Sequence, residues 1–183
     1  MWPWEHLAFG YILAHITLRS ETERIDIFAL VAVILGTQLP DIIDKPLAWI
    51  FGVLPSGTSL GHSLLFMVPV AGAVVAGCWY RDRVSVGIAF AVAYSSHLLG
   101  DLLYPLVFTG SLPPIGILFW PLVPANSSSA TFTGNVIKYL DIYFDALLSP
   151  RGIFFLSLEF LLLGAALLLW VRDGRPGWPD LEG

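Results

Sequence analysis

Two residues within a long apolar stretch have side chains that could bind a metal ion together. His97 and Asp101 lie four positions apart within residues 84–104, a stretch long enough to cross a bilayer as a helix. At this spacing both side chains occupy one face, one turn apart. An Asp inside a membrane helix costs roughly 2.5–3.5 kcal/mol on insertion scales, and a divalent ion bound to imidazole and carboxylate would offset that cost. The alternative is a hydrogen-bonded pair that only ties two helices together.

The composition indicates an integral membrane protein. Of the 183 residues, 56% are hydrophobic and 13% are charged, about half the roughly 25% that is typical of soluble domains. The net charge of −5 argues against a nucleic-acid-binding surface. Cys78 is the single cysteine, which excludes an intrachain disulfide and a thiolate metal cluster. We expect one membrane-embedded domain over residues 1–183.

The apolar segments predict an all-α integral membrane protein with about five transmembrane helices. They cover residues 4–18, 25–39, 60–80, 84–104 and 152–171. Pro40 is expected to end the second helix, and Pro105 is expected to end the fourth. A short interfacial or re-entrant helix is predicted at residues 47–54, after the second span. A long outer loop, residues 109–150, precedes the fifth span and includes a surface helix at 135–148.

Basic residues predict the orientation, because they are enriched on the cytoplasmic side of membrane proteins. With five spans, one side carries Arg19, Arg24, Arg81, Arg83, Arg172 and Arg175, and the other carries Lys45, Lys138 and Arg151. The more basic side is expected to be cytoplasmic. The chain is then a multi-pass protein of the cell membrane with its N-terminus outside, its C-terminus in the cytoplasm and the loop tip at 126–129 outside.

Metal-capable side chains from four segments converge near the outer surface in this arrangement. They are His6, Asp41, Asp44, His62, His97 and Asp101. By helical rise, His97 lies about 20 Å and Asp101 about 26 Å from Val84. The orientation was chosen from the arginines alone, so the convergence is independent support for a metal site. Gly10 and Gly61 lie beside these residues and would permit close approach of the backbones.

Other ionisable residues are expected to have different roles. His15 lies about 13 Å deeper than His6 by helical rise, so it is expected outside the cluster. Glu159, inside the fifth segment, is a candidate to hold a ligand histidine in place, and the alternative is a pairing with a hydroxyl or tyrosine. Asp141 and Asp145 on the surface helix are expected to be solvated.

Five motifs, in their order and spacing, resemble the YdjM-like family of membrane-bound metal-dependent hydrolases. The motifs are His6-x-x-x-Gly10, Gly36-Thr37-Gln38-Leu39-Pro40-Asp41-x-x-Asp44, Gly61-His62-Ser63-Leu64-Leu65, Ser96-His97-Leu98-Leu99-Gly100-Asp101 and Phe119-Trp120-Pro121-Leu122. The resemblance covers residues 4–122 and implies the same six functional residues. The chain departs from the family where a His-Arg pair is common, since Gly57-Thr58 stands there and Gly61 replaces a Thr.

A second likeness, about a dozen residues long, is to the zinc-dependent phospholipase C and single-strand nuclease superfamily. The run from His97 to Pro105 resembles its His-x-x-Gly-Asp-x-x-Gln-Pro signature, with Tyr104 in place of the Gln. The downstream His-x-x-x-Glu pair of that superfamily is absent. The likeness implies phosphoester hydrolysis with one or two divalent metal ions, preferably zinc, and not three.

These features favour a metal-dependent hydrolase that cleaves a phosphoester of a lipid or lipid-linked substrate at the outer membrane face. The metal would activate a water, and Asp41 or Asp44 would act as the catalytic base. A serine nucleophile, Ser63 or Ser96, is disfavoured because neither serine is at the centre of a Gly-x-Ser-x-Gly motif. The alternatives are a proton- or ion-coupled transporter and a non-catalytic protein with a structural metal. The expected partners are the membrane and the substrate, with no nucleic acid, and the oligomeric state stays open.

Overall fold

The fold is built from helices in the part of the chain that the structure, a computed structural model, describes: residues 1–19, 25–125 and 131–178. The α-helices are α1 (Pro3–Leu18), α2 (Ile27–Trp49), α3 (Leu64–Tyr80), α4 (Val84–Thr109), α5 (Phe132–Leu148) and α6 (Gly152–Arg172), with a 3-10 turn at Ile115–Phe119. The all-α prediction is therefore confirmed. Arg24 and the predicted loop tip at 126–129 lie outside the described residues.

Helix α4 is the centre of the bundle and packs against α1, α2 and α3. The buried core around it is rich in alanine: Ala14, Ala29, Ala32, Ala71, Ala89 and Ala93. Glycines bring the backbones closer still. A Cβ at Gly10 would lie 2.3 Å from the Thr37 methyl, and a Cβ at Gly36 would lie 2.6 Å from the Phe90 carbonyl oxygen. Small residues at such contacts are how membrane helices approach closely, and they bring the polar side chains of α1, α2 and α4 together.

Helix α2 continues past the end that the sequence predicts. Pro40 and Pro46 both lie inside the helix, so the prediction that Pro40 ends it is wrong. Proline is tolerated in membrane helices where neighbouring groups satisfy the freed backbone. Contacts outside the helix also stabilise the extension, because Asp44 accepts hydrogen bonds from backbone N–H groups of the following loop. The predicted interfacial helix at 47–54 is likewise wrong, since Trp49 ends α2 and residues 50–63 form a loop.

The ends of α3 and α4 also differ from the prediction. Ser63 caps α3 by accepting a hydrogen bond from the Leu65 N–H, so His62 lies in the turn before the helix. Helix α4 passes through Pro105, so the expectation that this proline stops the helix is wrong. The helix ends instead at Gly110, whose φ of 72° is the left-handed conformation that glycine adopts without strain.

Helix α5 occupies the position of the predicted surface helix and packs against α6 and α2. It begins at Phe132, after Thr131, whose side chain accepts a hydrogen bond from the Gly134 N–H. Asp141 and Asp145 are exposed, as expected for the polar side of a helix that lies against the bundle.

Among the described residues, the helices α2, α4 and α6 are long and apolar enough to cross a membrane. Helices α1 and α3 have 16 and 17 residues, which corresponds to about 24 and 26 Å against a hydrocarbon core of roughly 30 Å. The described residues therefore support a helical membrane protein. The count of five spans stays a prediction.

Candidate metal centre

Side chains from α2, from α4 and from the turn before α3 meet in one cluster. Its members are Asp41, His62, His97 and Asp101, and one ligand atom from each lies within 4.8 Å of the others. Asp41 belongs to the extended part of α2, while His97 and Asp101 share one face of α4. His62 lies in the turn between the loop that follows α2 and the start of α3. The predicted pairing of His97 with Asp101 is therefore part of a larger group from three chain segments.

The distances within the cluster fit a single metal ion. The two histidine Nε2 atoms lie 3.2 Å apart, and Asp101 Oδ2 lies 3.3 Å from His62 Nε2 and 3.6 Å from His97 Nε2. Asp41 Oδ1 lies 3.6 and 3.8 Å from the same two nitrogens. Tetrahedral zinc with bonds of about 2.0–2.1 Å to nitrogen and oxygen requires ligand atoms roughly 3.3–3.4 Å apart. The four side chains could therefore hold a metal ion.

Both cluster histidines are held so that Nε2 faces the centre. His62 Nδ1 lies 2.8 Å from Asp44 Oδ2, and His97 Nδ1 lies 2.6 Å from the Thr37 carbonyl oxygen. A carboxylate and a carbonyl can only accept, so each Nδ1 carries the proton and each neutral ring keeps a lone pair on Nε2. Metal-binding histidines are oriented in this way by acceptors behind them. Both rings are essentially fully buried.

Asp44 supports the cluster from behind and is not among its four ligand atoms. Its carboxylate accepts from the backbone N–H groups of Ser59 at 2.7 Å, Gly61 at 2.7 Å and His62 at 3.2 Å, in addition to the His62 ring. It is fully buried. Three of these bonds go to Oδ2 and one goes to Oδ1. The expectation that Asp44 is itself a ligand or catalytic base stays a prediction, and the contacts of its oxygens with the loop and the His62 ring favour a positioning role.

His6 lies against the cluster without a hydrogen-bonding partner. Its ring stacks on His97 with centroids 3.8 Å apart, and its Nε2 lies 3.1 Å from Asp101 Oδ1 but outside hydrogen-bonding geometry. The Met1 ammonium donates to the same Asp101 oxygen at 2.7 Å. His6 is 1% exposed, and neither of its ring nitrogens has a hydrogen-bond partner among the described residues. A buried polar atom without a partner is costly, and a cation bound between His6 and Asp101 would satisfy it.

The carboxylates form the accessible edge of the cluster. The side chain of Asp101 is 20% exposed and that of Asp41 is 11% exposed, against 1% or less for the two histidines. Asp41 Oδ2 is paired with the Lys45 ammonium one turn later on α2. Lys45 lies over the Trp49 ring, 5.8 Å from its centroid. Among the described residues of the cluster, the two acids are therefore the ones most accessible to solvent and ligands.

Helix α5 places tyrosines beside this accessible edge. Tyr139 stacks against Trp49 with centroids 6.1 Å apart. Partial burial raises the pKa of the Tyr139 hydroxyl, and the negative charges of Asp101 and Asp41 raise it further. The hydroxyl therefore stays protonated at neutral pH and is a hydrogen-bond donor near the acids.

For the other ionisable residues, the structure agrees either with the main prediction from the sequence or with the alternative stated beside it. Glu159 accepts from the Trp4 indole N–H at 2.8 Å and from the Tyr143 hydroxyl at 3.0 Å, which is the tyrosine pairing and not a contact with a ligand histidine. Loss of solvent raises the pKa of Tyr143, and the hydrogen bond to Glu159 adds to that rise. His15 lies outside the cluster, where its Nδ1 is 2.9 Å from Asp173 Oδ2.

The two serines near the cluster are engaged with backbone. The Ser63 hydroxyl donates to the Trp120 carbonyl at 2.5 Å, and the Ser96 hydroxyl donates to the Ala93 carbonyl at 2.7 Å. Neither hydroxyl has a hydrogen bond to a histidine that could activate it as a nucleophile. The geometry agrees with the sequence in disfavouring serine catalysis.

Sequence reasoning missed two supports of the cluster. The Thr37 carbonyl holds His97, and the Tyr94 hydroxyl donates to the Gly61 carbonyl at 2.7 Å in the turn that carries His62. A Cβ at Gly61 would lie 2.8 Å from both the Cα and the carbonyl oxygen of Pro40, so the glycine lets this turn press against α2. A backbone carbonyl is present at every residue, and thus no sequence signal could have identified Thr37.

Comparison with known proteins identifies the family. No match is found among curated proteins or among solved structures. The family described as YdjM inner membrane protein matches residues 1–175, which is nearly the whole chain and more than the resemblance over residues 4–122 covers. Together with the apolar helices, this match supports a location in the membrane. The chain therefore belongs to the YdjM family of inner membrane proteins.

Proposed function

We propose that this protein is a metal-dependent hydrolase that cleaves a phosphoester of a lipid or lipid-linked substrate. The observation that carries the proposal is the pair of buried histidines whose Nε2 atoms face two partly accessible carboxylates at 3.3–3.8 Å. Two histidines and a carboxylate with a further position left open is the usual arrangement of catalytic zinc, whereas structural zinc has four protein ligands.

His62, His97 and Asp101 would hold the ion, and Asp41 would remain as the base. The Asp41 Oδ1 atom faces the two ring nitrogens, and its other oxygen is fixed by Lys45. The bound ion would lower the pKa of water to near 7 and polarise a phosphoryl oxygen. Asp41 would accept the proton of the attacking water, because the Asp44 oxygens are engaged by the loop backbone and the His62 ring.

Lys45 supports the choice of a phosphoester. The chain lacks the His-Arg pair that is common in the YdjM-like family. Lys45 is a basic residue at the accessible edge of the cluster. An ammonium group is a point charge that suits phosphate oxygens. With five spans oriented by the arginines, this edge faces the outer side of the membrane, where the headgroup of a lipid or lipid-linked molecule would lie.

The test combines metal analysis of the purified protein with a screen of phosphoesters, from p-nitrophenyl phosphate to phosphatidic acid and a prenyl phosphate. We expect about one or two equivalents of zinc and hydrolysis of at least one ester. Asp41→Asn is the informative variant, since the proposal predicts that it keeps the metal and loses hydrolysis. Asp173→Asn, which changes a histidine-paired carboxylate outside the cluster, is the matched control and should keep both.

Other outcomes would favour the alternatives. Loss of metal in Asp41→Asn, with no hydrolysis by the wild type, would indicate a closed structural site. Metal-dependent proton or ion flux in proteoliposomes, without hydrolysis of any ester, would indicate a transporter.

A further inference from the structure

Helices α4 and α6 leave a groove between them, with α1 as its floor. Both helices pack against α1, but they have little contact with each other. One wall is a single stripe of α4 that includes Gly100, Leu103 and Val107, and the other is a stripe of α6 that includes Phe155 and Leu158. Spacings of three and four residues put each stripe on one helix face. The α4 stripe, over 100–107, is about 10 Å long by helical rise.

The inside of the groove is apolar although two carboxylates belong to its lining. Glu5 accepts a hydrogen bond from the Trp2 backbone N–H at 2.6 Å. Glu159 is held by the indole of Trp4 and the hydroxyl of Tyr143. Both acids therefore already have donors, and the rest of the lining consists mostly of aliphatic and aromatic side chains.

The groove reaches the metal cluster at Gly100. This residue precedes Asp101, and a Cβ at its position would lie 2.5 Å from Met1 Sδ and 3.5 Å from His6 Nδ1. The glycine thus makes room for Met1, which lines the groove and whose ammonium donates to Asp101, so Met1 lies where the groove meets the cluster. A molecule lying in the groove would have one end beside Asp101.

The other side of the groove is open to the surroundings of the bundle. Leu103, Val107 and Leu158 are 39–46% exposed. Helices α4 and α6 are both among the helices that are long and apolar enough to cross a membrane, and if both do so this opening would face lipid. The enclosed volume is about 170 Å³, and an apolar cavity of roughly 150 Å³ is enough to bind benzene. The surroundings supply hydrocarbon chains in excess, and the groove has the chemistry and the size to take part of one.

We propose that this groove binds one hydrocarbon chain of a membrane lipid whose phosphoester headgroup lies at the metal cluster. The identity of the headgroup in this inference rests on the proposed function. The binding of the hydrocarbon chain rests on the groove itself. It commits to a bilayer lipid as the substrate, entering sideways between α4 and α6. Burial of the chain would position the ester bond beside Asp101 and contribute affinity that a soluble phosphoester lacks.

Photocrosslinking tests the proposal without requiring hydrolysis. The protein in nanodiscs of phosphatidylethanolamine and phosphatidylglycerol would receive a trace of phosphatidic acid with a diazirine on one acyl chain, and labelled peptides would be mapped by mass spectrometry. Leu158→Trp fills the groove, and Val107→Trp fills it independently from the opposite wall. Leu161→Trp is the matched control, because Leu161 is on the same helix and is 70% exposed.

We expect labelling of residues 100–107 in the wild type and in Leu161→Trp, and about a tenfold lower yield in each groove-filling variant, which corresponds to roughly 1.4 kcal/mol. Equal yields in all three variants, or wild-type labelling no stronger than at the exposed face around Leu161, would overturn the groove. Labelling as expected without hydrolysis of any ester would reject the proposed function and keep the groove. Hydrolysis of p-nitrophenyl phosphate without specific labelling would support the proposed function and reject the groove as a binding site for a lipid chain.

Discussion

Replacing Asp101 by Asn separates a metal site from a hydrogen-bonded polar cluster. The substitution preserves size and removes the charge. Asp101 Oδ2 lies 3.3 Å from His62 Nε2 and 3.6 Å from His97 Nε2. If hydrogen bonding alone explains these contacts, an amide can replace the carboxylate at a cost of about 1 kcal/mol in unfolding free energy. If the three groups share an ion, a neutral amide is a poor ligand.

The expected loss of metal affinity can be bounded from the geometry. Removing a group that only orients a ligand, as Asp44 orients His62, typically costs 10–100-fold in metal affinity. Asp101 is itself a ligand in the proposed site, so we expect a loss of more than about 100-fold, or about 2.7 kcal/mol. The variant should remain folded in detergent, because a neutral side chain is less costly to bury than an unpaired carboxylate.

The assay is metal content after dialysis against a zinc buffer, together with thermal unfolding. His97→Ala should show the same loss of metal. The double variant should be little worse than either single variant, because groups that serve one ion are not additive. Asp173→Asn is the control for a carboxylate paired with histidine elsewhere in the bundle. Wild-type zinc content in folded Asp101→Asn would refute the metal site and the mechanism built on it.

Two further predictions concern the support of the cluster and the topology. Asp44→Asn should reduce metal affinity by about 10–100-fold. It should also reduce the free energy of unfolding by about 1–3 kcal/mol, because three backbone N–H groups lose a carboxylate acceptor. Titration with zinc and thermal unfolding measure the two effects, and an unchanged zinc affinity would contradict the positioning role. In a Cys78→Ala background, a membrane-impermeant thiol reagent should label Lys138→Cys from outside and Arg81→Cys only from the cytoplasmic side. The opposite pattern would reverse the orientation and the outer-face proposal.

The helical class and the membership of the cluster were largely predictable from local sequence. Apolar runs indicate helices in a membrane regardless of what they pack against. Polar residues inside such runs are costly and therefore mark sites. His97 and Asp101 needed only their spacing to be placed on one face. The arginine count placed His6 and His62 at the same end, and the structure brings both beside His97.

The helix ends could not be predicted, because local rules for proline compete with tertiary contacts. Pro40 and Pro105 both favour a helix end by themselves. In the fold, the loop after α2 donates three backbone hydrogen bonds to Asp44, and Gly110 provides the cap that ends α4. The hydrogen bonds to Asp44 join residues that are far apart in sequence, and the cap at Gly110 depends on one backbone angle. Both outweigh the preference of proline for a helix end, and neither leaves a signal in the local sequence.

By itself, the sequence determined that this is a helical membrane protein in which histidines and aspartates from separate segments meet, since that follows from hydropathy, spacing and charge. Only the tertiary structure decided which of two neighbouring aspartates faces the cluster. Asp41 and Asp44 are three residues apart and chemically identical, and both point to the same side of α2. The loop after α2 folds back over Asp44 and donates three backbone hydrogen bonds to its oxygens, while Asp41 stays at the accessible edge. The role of each carboxylate is set by which donors surround it, and the fold alone brings those donors together.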